Sequence, residues 1–423
     1  MTIATPYHRK ASKKRRMDQK KIKKVGIVFS GGPSPAANTV ISAAVMNFIN
    51  SGVEVYGFIQ GLQFLQEYDQ DKPLIPNEHY KILKIADVSG IRNRKAIIIK
   101  TSRANPGKKI KSLQDISDPQ KNRRLLNVYK WINHFDLDGL VTIGGDDTLK
   151  TVNYLYLIQS HLPGMKPVSL IHIPKTIDND YFGIDWTFGY TSAANFAARE
   201  INNLLADAKS ANSWFVLEIM GRKTGWLTYA AGIAGEATRI ISVEDIKGTF
   251  DVDKLVEDLV ALMEARAKDA KKYGVVCISE GVAELLPRES RPKARDKHGN
   301  IFMGDAEVGK VIAQKLEKEY KKRHNDDPLK VRGKQIGYET RCTEPSAFDV
   351  MLGSQLGVGA FRAICEKGLS GMMVSVEGQL KIRYVPFDEL IDPKTLKTKI
   401  RYIQKDSDFY KLARSLEYQL PEK

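Results

Sequence analysis

The sequence predicts an α/β fold of two lobes with mostly parallel sheets, and three observations carry that expectation. Short β-branched runs alternate with amphipathic helical patterns along the chain. Glycine-rich turns follow several of those runs, where open parallel sheets gather their ligands. At 423 residues the chain holds more core than one compact lobe needs.

The elements follow in order. Residues 24–30 (KVGIVFS) read as a strand that ends in a Gly/Pro turn, and 38–50 continue as a helix. Further strands are expected at 54–59, 96–100, 140–143, 168–173, 214–219, 274–279 and 371–376, each a brief apolar run. Helical spacing recurs at about 148–160, 190–207, 251–268, 306–323 and 347–367. Long Gly/Ser or Pro linkers are missing, so the lobe boundary is set near residue 190. The polar, aperiodic stretch 286–302 reads as a surface insertion.

Composition narrows the class. Hydrophobic content of 42% and charged content of 27% suit a globular chain and exclude a disordered one. The longest nearly apolar run, 36–49, contains Asn38, Thr39, Ser42 and Asn47, too short and too polar to span a bilayer. Cys277, Cys342 and Cys365 are scattered, without metal-like spacing, which points to a reduced compartment. Residues 8–24 carry ten Lys/Arg against the single Asp18, so more than half of the net charge of +16 sits there. A solvated, disordered tail over 1–23 is the simpler reading; binding of nucleic acid through it is the alternative. No apolar h-region follows these charges, and the expected location is cytoplasmic.

Four stretches carry chemistry. In FSGGPSPAAN (29–38), Gly31 and Gly32 lie between a strand and a helix, where backbone N–H groups favour a phosphate. KTSRANPGK (100–108) offers Arg103, whose planar fork suits phosphate. IGGDDT (143–148) sets Asp146 and Asp147 directly after Gly145 and before Thr148, two negative charges in what looks like a phosphate cradle. IPKTIDND (173–180) puts Lys175 and Thr176 beside Asp178 and Asp180. One carboxylate there can accept a proton from an attacking hydroxyl while the other supports it or a metal. Neither a GxxxxGK[ST] nor a GxGxxG motif occurs.

Taken together with TSR (101–103), MGR (220–222), SEG (279–281) and GYETR (337–341), these stretches resemble the phosphofructokinase family over roughly residues 24–390. The resemblance implies two Rossmann-like lobes with the active site in the cleft between them. It implies a phosphate-donor lobe over 24–189, a sugar-phosphate lobe over 190–348, and a segment 349–423 completing both. It implies that Asp178 is the general base toward the sugar 1-hydroxyl, that Thr176 holds the transferring phosphoryl group and that Asp180 orients the site. Asp146 would hold Mg²⁺, and Gly31, Gly32, Arg103, Gly145 and Thr148 would meet the donor phosphates. Thr176, Ile177, Asp178, Met220, Gly221, Arg222, Glu280, Tyr338 and Arg341 would bind fructose 6-phosphate, with Arg332 reaching over to a neighbouring subunit's sugar. A homo-oligomer, dimer or tetramer, is implied, without membrane or nucleic acid as partner.

In ATP-dependent members the positions of Asp147 and Lys175 are typically both glycine. Here Asp147 would face a nucleotide α-phosphate, and Lys175 would meet the leaving phosphate, a pair that resembles pyrophosphate-dependent members. The expected reaction is Mg²⁺-dependent, reversible transfer from pyrophosphate to fructose 6-phosphate, in glycolysis or gluconeogenesis. ATP as donor and a catalytically silent paralogue remain alternatives. Two departures stand out: Ala36 replaces a usual Gly, and Ser213 and Trp214 lie near where the family often places an Arg. The second leaves a broader sugar such as sedoheptulose 7-phosphate open.

Overall fold

The computed structural model describes residues 21–287, 307–325 and 329–420. The basic stretch up to residue 20 and most of the expected insertion lie outside them. The chain forms two sheets. One contains β1 (Lys24–Ser30), β2 (Glu54–Phe58), β3 (Tyr80–Leu83), β4 (Gly139–Gly144) and β5 (Ser169–Pro174), together with the late strands β10 (Met372–Glu377) and β11 (Lys381–Pro386). The other contains β6 (Trp214–Ile219), β7 (Arg239–Ile241), β8 (Gly274–Ser279) and β9 (Val331–Ile336). Strand order is β11-β10-β5-β4-β1-β2-β3 in the first sheet and β7-β8-β6-β9 in the second. The second is wholly parallel; in the first only the edges β3 and β11 run antiparallel.

The apolar runs explain this arrangement. β4, β5, β6 and β8 are buried along their whole length, as strands covered by helices on both faces must be. The helix Ala37–Asn50 crosses the helix Ala347–Phe361 so closely that a Cβ on Gly357 would lie 2.5 Å from Val40 O. Residues after 347 therefore return to the first sheet. The last helix, Asp408–Leu416, packs instead beside the second sheet, where Arg414 pairs with Asp245 at 2.9 Å.

One expected strand is absent. Residues 96–100 form turns. The side chain of Asn38 intercepts that backbone: its Nδ2 donates to the carbonyls of Arg94 and Ala96 at 2.8 Å, and its Oδ1 accepts from Ile98 N at 3.0 Å. With those groups satisfied and Lys100 at φ 56°, no ladder forms. The expected helix 347–367 ends its α-helical part at Phe361 and continues as a π turn, Arg362–Glu366.

Register positions the site. Ser30, Gly144 and Pro174, the last residues of β1, β4 and β5, are direct neighbours across the ladder. In the second sheet Ile219, Ser279 and Ile336 are aligned in the same way. Each sheet thus releases three motif turns side by side at its carboxyl end.

Candidate active site

The two rows of turns face each other. Lys223, directly after MGR, reaches across to Asp146, with Nζ 3.1 Å from Oδ2. Thr224 Oγ1 donates to the carbonyl of Asp178 at 3.4 Å. Arg341 stands against the first glycine turn, so that a Cβ on Gly32 would lie 3.5 Å from its Nη1.

In the first row, Gly31 has φ 91°, a conformation that glycine adopts without strain. Its N–H donates to Ser102 O at 2.8 Å and its carbonyl accepts from Thr101 Oγ1 at 2.7 Å. These two bonds dock the TSR turn onto the SGG turn and leave Arg103 exposed at the rim. Ala36, the N-cap of the following helix, is buried at φ 63°, so the departure from glycine is absorbed by a left-handed alanine.

Gly145 caps the helix Asp146–His161, and both aspartates lie in its first turn, where the helix dipole favours negative charge. Asp146 is held by two ammonium groups, Lys150 and Lys223, each 3.1 Å from Oδ2. Burial pushes its carboxyl up, but the two lysines and a hydrogen bond from Thr398 win and hold it below the ordinary value. Asp147 is exposed, 3.3 Å from Lys150. Thr148 is buried against Gly144, where a Cβ would lie 2.3 Å from its Oγ1. Beneath this turn, Tyr181 OH donates to Gly144 O at 3.1 Å and meets His172 Nε2 at 3.1 Å. Burial pushes His172 down to about 3, so the imidazole is neutral.

Lys175 is the buried cation of this row. It is 7% exposed and lies under both glycine turns: a Cβ on Gly31 would sit 3.2 Å from its Nζ, one on Gly145 4.0 Å. Burial, with the positive charges of Arg341 and Arg103 nearby, lowers it to about 8, against the pull of Asp178 and Asp180. Three residues on, Asp178 N donates to Thr176 Oγ1 at 3.0 Å, and Ile177 packs inward. Asp180 is raised to about 7 by burial and by Asp178.

In the second row Gly221 has φ 132° and Met220 is buried. Arg222 donates through Nε to Glu284 Oε1 at 2.8 Å. Glu280 is buried and raised to about 7, by desolvation first and the Asp178 charge second. Tyr338 is 66% exposed, with the Arg341 guanidinium 4.9 Å from its ring centroid. Arg332 stands apart. It is exposed near the start of β9, level with Phe215 and at the opposite strand end from the GYETR turn, so within one chain it does not join the others.

Four residues at this site escape a reading of the sequence: Lys150, Lys223, Thr398 and Arg401. The i,i+4 spacing of Asp146 and Lys150 is a local signal that could have found the first. Lys223 abuts a motif already singled out. Thr398 and Arg401 have no sequence signal at all.

The geometry agrees with what the chain is similar to. A family model described as Phosphofructokinase matches residues 24–364. A pyrophosphate–fructose 6-phosphate 1-phosphotransferase of Thermotoga maritima is 31% identical, covering 95% of this chain and 91% of that protein. One of Naegleria fowleri is 32% identical, covering 96% and 90%. An ATP-dependent 6-phosphofructokinase of Chloroflexus aurantiacus is 29% identical over 85% of this chain and 88% of its own. Among solved structures, the pyrophosphate-dependent phosphofructokinase of Nitrosospira multiformis superposes with a TM-score of 0.68 at 18% identity, covering 95% and 94% of the two chains, which speaks for the fold. A match over most of the length, on a fold whose six motif turns meet in one cleft, means that this chain belongs to the phosphofructokinase family.

Proposed function

We propose that this chain transfers a phosphoryl group from pyrophosphate to the 1-hydroxyl of fructose 6-phosphate, giving fructose 1,6-bisphosphate and phosphate. The observation that carries the choice of donor is Lys175, buried under the two glycine turns, with Asp147 in the turn above it. An ammonium there meets the charge that develops on a leaving phosphate. A carboxylate at Asp147 opposes a nucleotide α-phosphate; at about 4 Å and an effective dielectric near 20, the repulsion is several kcal/mol.

In this reading Asp178 takes the hydroxyl proton as the sugar oxygen bonds to phosphorus. The bridging P–O bond breaks, and its electrons leave with phosphate beside Lys175. Thr176 holds the transferring group. Asp180 and Glu280, both pushed up to about 7 chiefly by burial, stand beside the base. Gly31, Gly32, Arg103, Gly145 and Thr148 belong to the donor side, and Met220, Gly221, Arg222, Tyr338 and Arg341 to the sugar side. Arg332 would serve a neighbouring subunit in a homo-oligomer.

The donor set suits Mg²⁺. Asp146 offers hard carboxylate oxygen, with Asp178 and Asp180 near, and no cluster of three or more His, Cys, Asp or Glu forms a cage among the described residues. That fits an ion held through one or two carboxylates and substrate phosphates. When bound, it would neutralise charge on the phosphate oxygens. A cytoplasmic location belongs to the same reading; among the described residues no helix is long and apolar enough to cross a membrane.

ATP is the second reading. Asp147 is exposed and paired with Lys150, so its side chain has room to turn away, and ATP-dependent relatives also match. Purified protein with fructose 6-phosphate, Mg²⁺ and either donor tests both. Turnover with pyrophosphate alone is expected, and Asp147→Gly with Lys175→Gly should weaken it and admit ATP. Turnover with ATP alone in the wild type would overturn the donor assignment.

A further inference from the structure

Residues 398–401 lie beyond the family match, yet they run along the catalytic turns. Thr398 and Ile400 line one cavity together with Asp146, Asp180 and Lys223. Ile400 forms an antiparallel bridge with Tyr181, and Arg401 N donates to Asp180 O at 2.9 Å. The guanidinium then closes the turn, with Nη2 donating to the carbonyls of Asn179 and Asp185, both at 2.8 Å. Its Cζ stands 4.3 Å from the ring centroid of Trp226, whose Nε1 donates back to Arg401 O at 2.7 Å. Trp226 opens the helix Trp226–Ala234 on the second sheet's side, so Arg401 ties the Asp178–Asp180 turn to the far row.

The turn needs such a tie. Asn179, between the two carboxylates, has φ 53°, and its Oδ1 accepts from Thr187 N at 2.9 Å. A left-handed non-glycine residue persists only where its surroundings over-determine it. The side chain of Asn179 is held by its own loop, whereas its carbonyl is held from 222 residues away.

We propose that Arg401 is a positioning residue of this active site: its guanidinium locks the Asp178–Asn179–Asp180 turn in the orientation that proton abstraction needs. It touches no reacting atom, and the inference rests on the reading of Asp178 as base. The C-terminal segment is therefore part of the catalytic apparatus, beyond the residues matched by the family model.

Full-length Arg401→Met and Arg401→Lys are compared with wild type, using fructose 6-phosphate, Mg²⁺ and whichever of pyrophosphate or ATP supports turnover. Hydrogen exchange is followed over residues 176–188. Arg401→Met should lower kcat by about ten- to a hundredfold while both KM values stay within about threefold, because a small misplacement of a reacting group costs that much. Exchange over 176–188 should quicken. Arg401→Lys should recover part of both effects, since an ammonium lacks the planar fork. If Arg401→Met does not fold, Arg401→Lys carries the test alone: wild-type kcat and exchange there overturn the inference. So does a fall in kcat that disappears once rates are normalised to the folded fraction measured by circular dichroism, because loss of folded enzyme lowers apparent kcat and leaves both KM values unchanged. Asp178→Asn separates the two readings. An active Asp178→Asn sinks the base assignment and the inference that rests on it; an inactive Asp178→Asn beside a wild-type-like Arg401→Met keeps the base and sinks Arg401 alone.

Discussion

Lys175 shows how far one residue's chemistry depends on what surrounds it. Its place beside Asp178 and Asp180 is visible in the string IPKTIDND; its burial under two glycine turns is not, because those turns come from strands far apart in the chain. The burial has a measurable consequence. Desolvation disfavours the ammonium and brings its pKa to about 8, so the cation is complete below that value and lost above it. In our reading only the cation supports the leaving phosphate. We therefore expect kcat/KM for the donor, which reports the free enzyme, to fall as pH rises past about 8. Lys175→Met should lie lower throughout and lack that limb. A limb that persists in the variant belongs to some other group.

At the scale of elements, continuous apolar runs were legible and mixed ones were not. β4, β5, β6 and β8 are buried on both faces, so their sequences are mostly apolar, with only one or two polar residues each, and announce themselves. The helix Pro119–His134 opens with two polar turns, PQKNRR, and β9 exposes its four central residues, so neither shows a clean period. Residues 96–100 are the reverse case, an apolar run whose backbone is claimed by Asn38. Asn38→Leu keeps the volume but strands the carbonyls of Arg94 and Ala96 and the amide of Ile98. These bonds are part-buried, and each is worth about 0.5–1.5 kcal/mol net, so the substitution should lower thermal stability and loosen the TSR turn that follows. An unchanged Tm, with unchanged exchange over 94–103, would mean that this loop holds itself.

The whole molecule is two rows of turns set face to face, joined by contacts such as Lys223–Asp146 and Arg401–Asn179. The basic stretch 8–20 contributes none of the residues assigned to the cleft. Removing residues 1–20 should leave kcat and both KM values unchanged and abolish any salt-dependent retention on a polyanion such as RNA. A truncated enzyme with altered KM would give the tail a part in catalysis. The sequence by itself determined the α/β class, the turn chemistry and the family, because each motif is a local demand. A tight strand end needs glycine, a phosphate needs N–H groups, and a hydroxyl needs a nearby carboxylate. Only the tertiary structure decided which charges meet. Asp146 and Lys223 are 77 residues apart, and Arg401 and Asn179 are 222 apart; pairing over such distances is set by strand register and sheet packing, which leave no mark in the residues between.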